Sequence, residues 1–182
     1  GRLPGGEPVV YLTEILVEPL ESGSASRLAP AGRATAATWR ERFGRGVGLL
    51  EAHACEDAEE ILVASGTAAS TARAVVDALR ARGRAVGLVK VRTFRPFPVE
   101  ALRQALRAAR RVTVLDRNCS YGASGIFFQE VRAALYGLPG APPVHGFIAG
   151  MGGRDVTPTT IEAALSRAAA ERPRPESTWL TE

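Results

Sequence analysis

Residues 60–91 read EILVASGTAASTARAVVDALRARGRAVGLVKV, and their pattern decides the fold. Ile61, Leu62, Val63 and Ala64 form a short apolar run, which predicts a buried strand. Ser65, Gly66 and Thr67 then turn the chain, a composition suited to opening a helix. Ala68, Ala72, Val75, Val76 and Leu79 recur three or four residues apart and line one face of that helix. Gly83 is placed to end it. Val86 to Val91 is mostly apolar again and predicts a second strand. Two buried strands joined by an amphipathic helix make a βαβ unit, in which the strands run parallel and strand twist makes the crossover right-handed.

The unit recurs downstream. Pro98 stands where proline is tolerated, in a first helical turn, and Val99, Leu102, Ala105, Leu106 and Ala109 form the apolar stripe after it. Val112 to Leu115 predicts a third strand, followed by the polar loop 116–122. The next helix carries Phe127, Phe128, Val131, Ala134 and Leu135 inward and closes at Gly137. Residues 144–148 predict a fourth strand. Thr157 is placed to cap a last helix with Pro158 at its first position and Ile161, Ala164, Leu165 and Ala168 facing in. The fold class is α/β, a mostly parallel sheet covered by helices on both faces. Upstream the pattern weakens. Residues 8–17 read as strand-like, 22–37, rich in Ser, Ala, Gly and Pro, as a linker or loop, and 46–51 as a further strand. Residues 171–182 are polar and proline-bearing and predict an extended or disordered end.

Composition narrows the class. The chain has 182 residues, 46% of them hydrophobic and 23% charged, the balance of a soluble globular protein. No apolar stretch approaches the ~20 residues of a membrane helix, and the N-terminus shows no basic region followed by an apolar run. A cytoplasmic location is the expectation. Met151 is the only methionine, so the chain is expected to be processed or cut from something longer. Net charge is +4, and Lys90 is the only lysine among 23 basic residues. The arginines lie at helix ends and on outer faces, with no basic cluster interleaved with aromatics, which argues against nucleic acid. Cys55 and Cys119 are far apart, and His53 and His145 lack metal-ligand spacing. Neither a disulfide framework nor a zinc or iron–sulfur site follows from them.

In an open α/β sheet the working loops follow the carboxyl ends of the strands. Here they are 65–67, 93–97, 116–122 and 150–155. Ser65-Gly66-Thr67 lacks the spacing of a phosphate-binding fingerprint and reads as a turn and helix cap. Gly150-Met151-Gly152-Gly153 has two readings: an anion cradle beside Arg154, or a glycine turn with Arg154 and Asp155 paired to neighbours. Asp116, Arg117 and Asn118 put three polar groups just past a strand. No histidine or second carboxylate stands near them in sequence, so an ion pair between Asp116 and an arginine is favoured over acid–base chemistry. Cys119 has no neighbouring histidine to activate it. Cys55, before the acidic run 56–60, reads as structural. In Phe94-Arg95-Pro96-Phe97-Pro98 the prolines fix the path and present Arg95 rigidly between aromatic anchors. Arginine keeps its proton at neutral pH, so this favours a docking surface or anion contact; the alternative is a packed corner with Arg95 in an internal ion pair. The candidate interface or anion contacts are Arg95, Phe97, Asp116, Arg117, Asn118, Gly152, Gly153, Arg154 and Asp155. No residue is assigned to catalysis, cofactor binding or metal.

RPFP at 95–98, LDRN at 115–118 and GGRDVTP at 152–158 are specific when they occur in this order and at these spacings. With them, the stretch from Arg42 to Leu165 resembles the second domain of the alpha subunit of pyruvate:ferredoxin oxidoreductases and related 2-oxoacid:ferredoxin oxidoreductases. The resemblance implies a transketolase C-terminal-like fold. That fold has three α/β/α layers around a five-stranded sheet with one antiparallel strand, here 46–51. It also implies a division into the end of a preceding domain plus linker (1–41), the domain itself (42–170) and a tail (171–182). Such enzymes oxidatively decarboxylate a 2-oxoacid, pyruvate first among them, onto coenzyme A. They use thiamine diphosphate with magnesium and pass electrons through 4Fe–4S clusters to ferredoxin. In the family the thiamine site and the cluster cysteines lie in other domains or subunits, so no catalytic residue carries over. The implied partners are the pyrimidine- and diphosphate-binding thiamine domains, the gamma and ferredoxin-like subunits and, indirectly, ferredoxin. Neither nucleic acid nor membrane is implied. Two other readings stay open. One is the corresponding domain of another thiamine enzyme, such as transketolase or a 2-oxoacid dehydrogenase beta subunit. The other is a module holding an anion such as coenzyme A phosphates on its glycine loops.

Overall fold

The computed structural model describes residues 34–35, 37–44, 48–120 and 122–180, and the chain divides into two units, residues 1–46 and 47–182. In the first unit residues 37–43 are helical, and the rings of Trp39 and Phe43 lie 4.4 Å apart. The strand-like stretch 8–17 and most of the 22–37 loop fall outside the described residues. Residues 34, 35 and 37, at the end of that loop, are helical rather than irregular.

The second unit carries the alternation read from the sequence. Its elements are β1 (Leu50–His53), β2 (Glu60–Ser65), α1 (Ala68–Ala81), β3 (Val86–Val91), α2 (Val99–Leu106), β4 (Arg111–Asp116), α3 (Ile126–Leu135), β5 (Val144–Ile148), α4 (Pro158–Ala170) and β6 (Thr178–Trp179). They form one sheet in the order β1-β3-β2-β4-β5-β6. β1 runs antiparallel to β3, and the other pairings are parallel.

Side-chain alternation along the strands sorts the core into two layers. Ile61 and Val63 of β2 face one way, with Val89 and Val91 of β3 and Val112 and Val114 of β4. That side is covered by Leu102 and Leu106 of α2 and by Phe128, Val131 and Leu135 of α3. Leu62 and Ala64 face the other way with Leu88 and Leu115, under Val75, Val76 and Leu79 of α1 and Ile161 and Leu165 of α4. Because β2 is buried on both faces, it reads as an unbroken apolar run. From β2 the chain crosses out to β3 and then back over β2 to β4. The crossover direction reverses there, so the carboxyl ends of β2 and β4 flank the switch point where open α/β sheets place their ligand crevices.

Two expectations are corrected. Among the described residues the sheet has six strands rather than five, because Thr178 and Trp179 of the C-terminal segment join it: Thr178 pairs with Phe147 and Trp179 with Ile148. Leu180 N–H donates to the Ile148 carbonyl at 2.9 Å. A two-residue strand is too short to show a period, and its pairing with β5 alone defines it. Of the expected strand 46–51, residues 46–47 lie outside the described residues and Gly48 and Leu49 are not in a strand; the antiparallel strand runs from Leu50 opposite Val91 to His53 opposite Leu88.

Candidate functional site

The loop after β4 organises the carboxyl edge of the sheet. Asp116 ends β4 wholly buried, 0% exposed. Its Oδ1 accepts from the Phe127 N–H at 2.9 Å and its Oδ2 from the Phe128 N–H at 3.0 Å. Two residues on, Asn118 Oδ1 accepts from the Ile126 N–H at 2.9 Å. These are the first three residues of α3, whose donors have no partners inside the helix. Gly125, the residue before α3, offers no side-chain cap, so Asp116 and Asn118 cap the helix from a distance. Gly125 has to be glycine: a Cβ there would lie 2.1 Å from Asp116 Oδ2. Burial pushes the Asp116 carboxyl up from its ordinary 3.8 to about 6, against the opposing pull of the Phe127 and Phe128 N–H groups and the Asn118 side chain. The expected ion pair between Asp116 and an arginine is not formed. Its carboxylate is spent on the helix, and full burial removes it from the residues that can touch a partner.

Arg117, between those two caps, points to the other side of the loop. Its guanidinium donates to Thr67 Oγ1 at 3.2 Å and to the Gly150 and Arg154 carbonyls, each at 3.4 Å. One side chain therefore ties together the loops that follow β2, β4 and β5. Thr67 precedes α1 but makes no side-chain cap there; its hydroxyl serves Arg117 instead, so the capping role expected of this turn is corrected. Gly150 leaves room for the guanidinium, because a Cβ would sit 2.8 Å from Arg117 Nε, and it adopts φ +72, a conformation that favours glycine.

The corner after β3 packs on the same helix. Phe94 lies 5.2 Å from Phe127 and 6.5 Å from Phe97, ring centroid to centroid. Arg95 stacks over the Phe94 ring at 4.0 Å, donates to the Phe94 carbonyl at 2.9 Å and pairs with Glu130 at 2.6 Å. This is the internal ion pair of the second reading, formed at the surface, and the peptide bond between Arg95 and Pro96 is cis. All four loops are thus held by α3 or by Arg117. The loop after β5 presents Met151, Gly152, Gly153, Arg154 and Asp155, all exposed. The Arg154 and Asp155 side chains have no ion-pair partner among the described residues. Of the candidate residues, the structure brings Arg117 and Arg154 together, beside Gly150, in one cluster and Arg95 and Phe97 in another. Asp116 and Asn118 lie beneath both.

Several residues that hold this edge carry no sequence signal for the role they play there. Glu130 and Thr67 are ordinary helix-side and turn residues, and only the folded loops make them partners. Ser124 and Ser177 are another such pair. The Ser177 N–H donates to Ser124 Oγ at 3.0 Å and the Gly125 N–H donates to Ser177 Oγ at 3.2 Å, which ties the C-terminal segment to the start of α3. The Gly125–Ile126 junction was open to sequence reading only as a glycine before an apolar helix. Among the described residues no group of three or more His, Cys, Asp or Glu side chains is placed to hold a metal ion. Burial pushes the Cys55 thiol up, and its Sγ donates to the Leu88 carbonyl at 3.3 Å, as a structural cysteine does.

The chain is similar to known proteins. The family of pyruvate:ferredoxin oxidoreductase core domain II matches residues 58–161. Pyruvate synthase subunit PorA of Methanothermobacter thermautotrophicus is 48% identical over 140 residues, 77% of this chain and 35% of that protein. PorA of Thermotoga maritima is 41% identical over 130 residues, 71% of this chain and 33% of that protein. Ketoisovalerate oxidoreductase subunit VorA of Pyrococcus horikoshii is 41% identical over 124 residues, 68% of this chain and 32% of that protein. The chain spans about a third of the length of these curated relatives. Two of the solved structures with a similar fold each have a TM-score of 0.52. One is a split gene transketolase, described as an inactive beta4 tetramer, at 20% identity over 66% of this chain and 42% of that one. The other is the 2-oxoglutarate:ferredoxin oxidoreductase from Magnetococcus marinus, at 18% identity over 82% of this chain and 24% of that one.

Proposed function

The chain belongs to the family of pyruvate:ferredoxin oxidoreductase core domain II, and on that premise we propose that it is the second domain of the alpha subunit of a 2-oxoacid:ferredoxin oxidoreductase. The complex oxidises a 2-oxoacid, pyruvate first in view of the PorA relatives, to carbon dioxide and an acyl-coenzyme A, and passes the electrons to ferredoxin. The observation that carries this reading is one of place. RPFP, LDRN and GGRD all lie inside the matched span, and together they build the stapled carboxyl edge. Residues this specific, spent on rigidity rather than on a reacting group, suit a surface against which other domains register.

Thiamine diphosphate, magnesium, 4Fe–4S clusters and coenzyme A belong in this reading to other parts of the complex. The donors here do not fit a metal or cluster: the two cysteines stand apart, and the one buried carboxylate at the edge is committed to a helix. No step of the reaction is therefore routed through these side chains. Their task is to hold the exposed 151–155 turn, and with it Arg154 and Asp155, against the thiamine-binding domains and the gamma and ferredoxin-like subunits. The reading includes a cytoplasmic location for the complex. Among the described residues no helix is long and apolar enough to cross a membrane.

The test is reconstitution. Pyruvate-dependent reduction of methyl viologen, with coenzyme A, thiamine diphosphate and magnesium present, is expected only after the chain has assembled with the remaining subunits. Turnover by the 182-residue chain alone, or failure to co-purify with those subunits, would sink the proposal.

A further inference from the structure

A second place on the molecule gathers more positive than negative charge. β1 and β3 pair antiparallel with Glu51 opposite Lys90 and His53 opposite Leu88. Beside them, near the start of α1, opens a cleft of about 250 Å³ whose polar lining is Glu51, His53, Ser70, Arg73, Lys90 and Arg92. Glu51 is the only carboxylate in that lining, and it is already shared. One oxygen accepts from Arg73 at 2.9 Å and the other from Arg92. The hydrogen bond from Arg92 is the main reason its carboxyl is held below the usual range. His53 is engaged as well, with Nε2 2.6 Å from an Asp77 oxygen.

That leaves Lys90. It is the only lysine in the chain, half-buried on the sheet, and its ammonium has no hydrogen-bond or ion-pair partner among the described residues, only a weaker attraction to Glu51 opposite it. A strongly hydrated ammonium ordinarily sits out in water at the end of its stem. Here three cations face one carboxylate in a concave space beside Ala69 and Ser70, in the first turn of the 14-residue α1, where the helix dipole adds positive potential. Carboxylate chemistry suits this arrangement poorly, because a planar two-oxygen group is matched by an arginine fork and Glu51 already occupies two of them. A phosphoryl group has three oxygens in a tetrahedral spread and roughly two negative charges, as P–O groups of this kind do near neutrality. That matches donors arriving from a sheet and a helix at once. We propose that this cleft binds a phosphate-bearing small molecule, whose phosphoryl oxygens are received by Lys90, Arg73 and Arg92 beside the first turn of α1. The site is separate from the 150–155 turn and does not depend on the subunit assignment.

Inorganic pyrophosphate titrated into the 182-residue chain tests it, with backbone amide shifts as the readout. The expected result is a saturable change centred on Ala69, Ser70 and Lys90, with a Kd of about 1 mM or tighter. Lys90→Gln is expected to weaken binding by about tenfold or more, the usual worth of a charge-assisted hydrogen bond. Arg73→Gln, on the exposed side of α1, is expected to act in the same direction and serves if the Lys90 variant does not fold, which far-UV circular dichroism reports. Arg107→Gln, at the far end of α2, is expected to leave binding unchanged. Absence of saturation overturns the proposal. So does a loss as large in Arg107→Gln as in Lys90→Gln, which would mean a diffuse ionic atmosphere, and so does binding of citrate without binding of pyrophosphate.

Discussion

Arg117 shows how one residue sets the geometry of an edge. Its three hydrogen bonds are long, between 3.2 and 3.4 Å, so each contributes modestly, but they join three loops that share no other side-chain tie among the described residues. Arg117→Met keeps the length of the stem and removes the donors. It is expected to lower the free energy of unfolding by about 1–2 kcal/mol, the net worth of a few such bonds, and urea melts read this directly; an unchanged midpoint would remove the staple. Its neighbour makes a prediction about pH. Asp116 titrates near 6 in the folded chain and near 3.8 when free. A carboxyl whose folded value is raised binds its proton more tightly in the native state, so its contribution to stability is full below about pH 4 and is lost as pH rises through 6. The difference in stability between the wild type and Asp116→Asn should therefore fall by up to about 3 kcal/mol between pH 4 and 7, from the size of the shift. Carboxylates pulled the other way, such as Glu51, cancel in that difference. A flat difference across the range would show that the buried carboxyl does not titrate there.

At the scale of elements, α3 and α4 start by opposite means. α4 follows a local rule: Thr157 Oγ1 accepts from the Thr160 N–H at 3.2 Å, the Thr160 hydroxyl accepts from the Thr157 N–H at 3.4 Å, and Pro158 takes the first position. Thr157→Ala is expected to cost about 1 kcal/mol, measurable by thermal unfolding, and Thr157→Ser to restore most of it; equal melting temperatures for all three would show the cap to be idle. α3 follows no local rule, since its caps come from Asp116 and Asn118, about ten residues upstream across a loop. This contrast explains what was legible. The four parallel strands and the helices between them announce themselves because apolar spacing and end signals are properties of neighbouring residues. The start of α4 was readable from Thr157 and Pro158 for the same reason. The role of Asp116 was not, because a carboxylate after a strand looks the same whether it meets an arginine or a helix start. Thr67 misled in the opposite sense: it stands where a cap belongs, and the fold gives its hydroxyl to Arg117. β6 was hidden for want of length.

For the whole molecule, the question is which surface remains for contact. The sheet has a short strand at each margin, four residues in β1 and two in β6, which limits strand addition there. Both faces are covered by helices. The carboxyl edge is different: its loops are fixed from below by Asp116 and Asn118 and sideways by Arg117, while its outermost turn, 151–155, leaves Arg154 and Asp155 exposed and without ion-pair partners among the described residues. A rigid turn bearing unpaired charge loses little freedom when a partner supplies the opposite sign, and such rim charges act mainly through the rate of association. Arg154→Glu therefore separates folding from assembly. Because the side chain is exposed and makes no hydrogen bond or ion pair among the described residues, unfolding free energy should stay within about 0.5 kcal/mol of the wild type, as for surface changes away from such features. Association with the remaining subunits should slow, with a weaker dependence on salt, as followed by surface plasmon resonance at two ionic strengths. If Arg154→Glu destabilises the isolated chain, the turn is part of the scaffold; if it leaves association untouched at both ionic strengths, the docking surface lies elsewhere on the molecule.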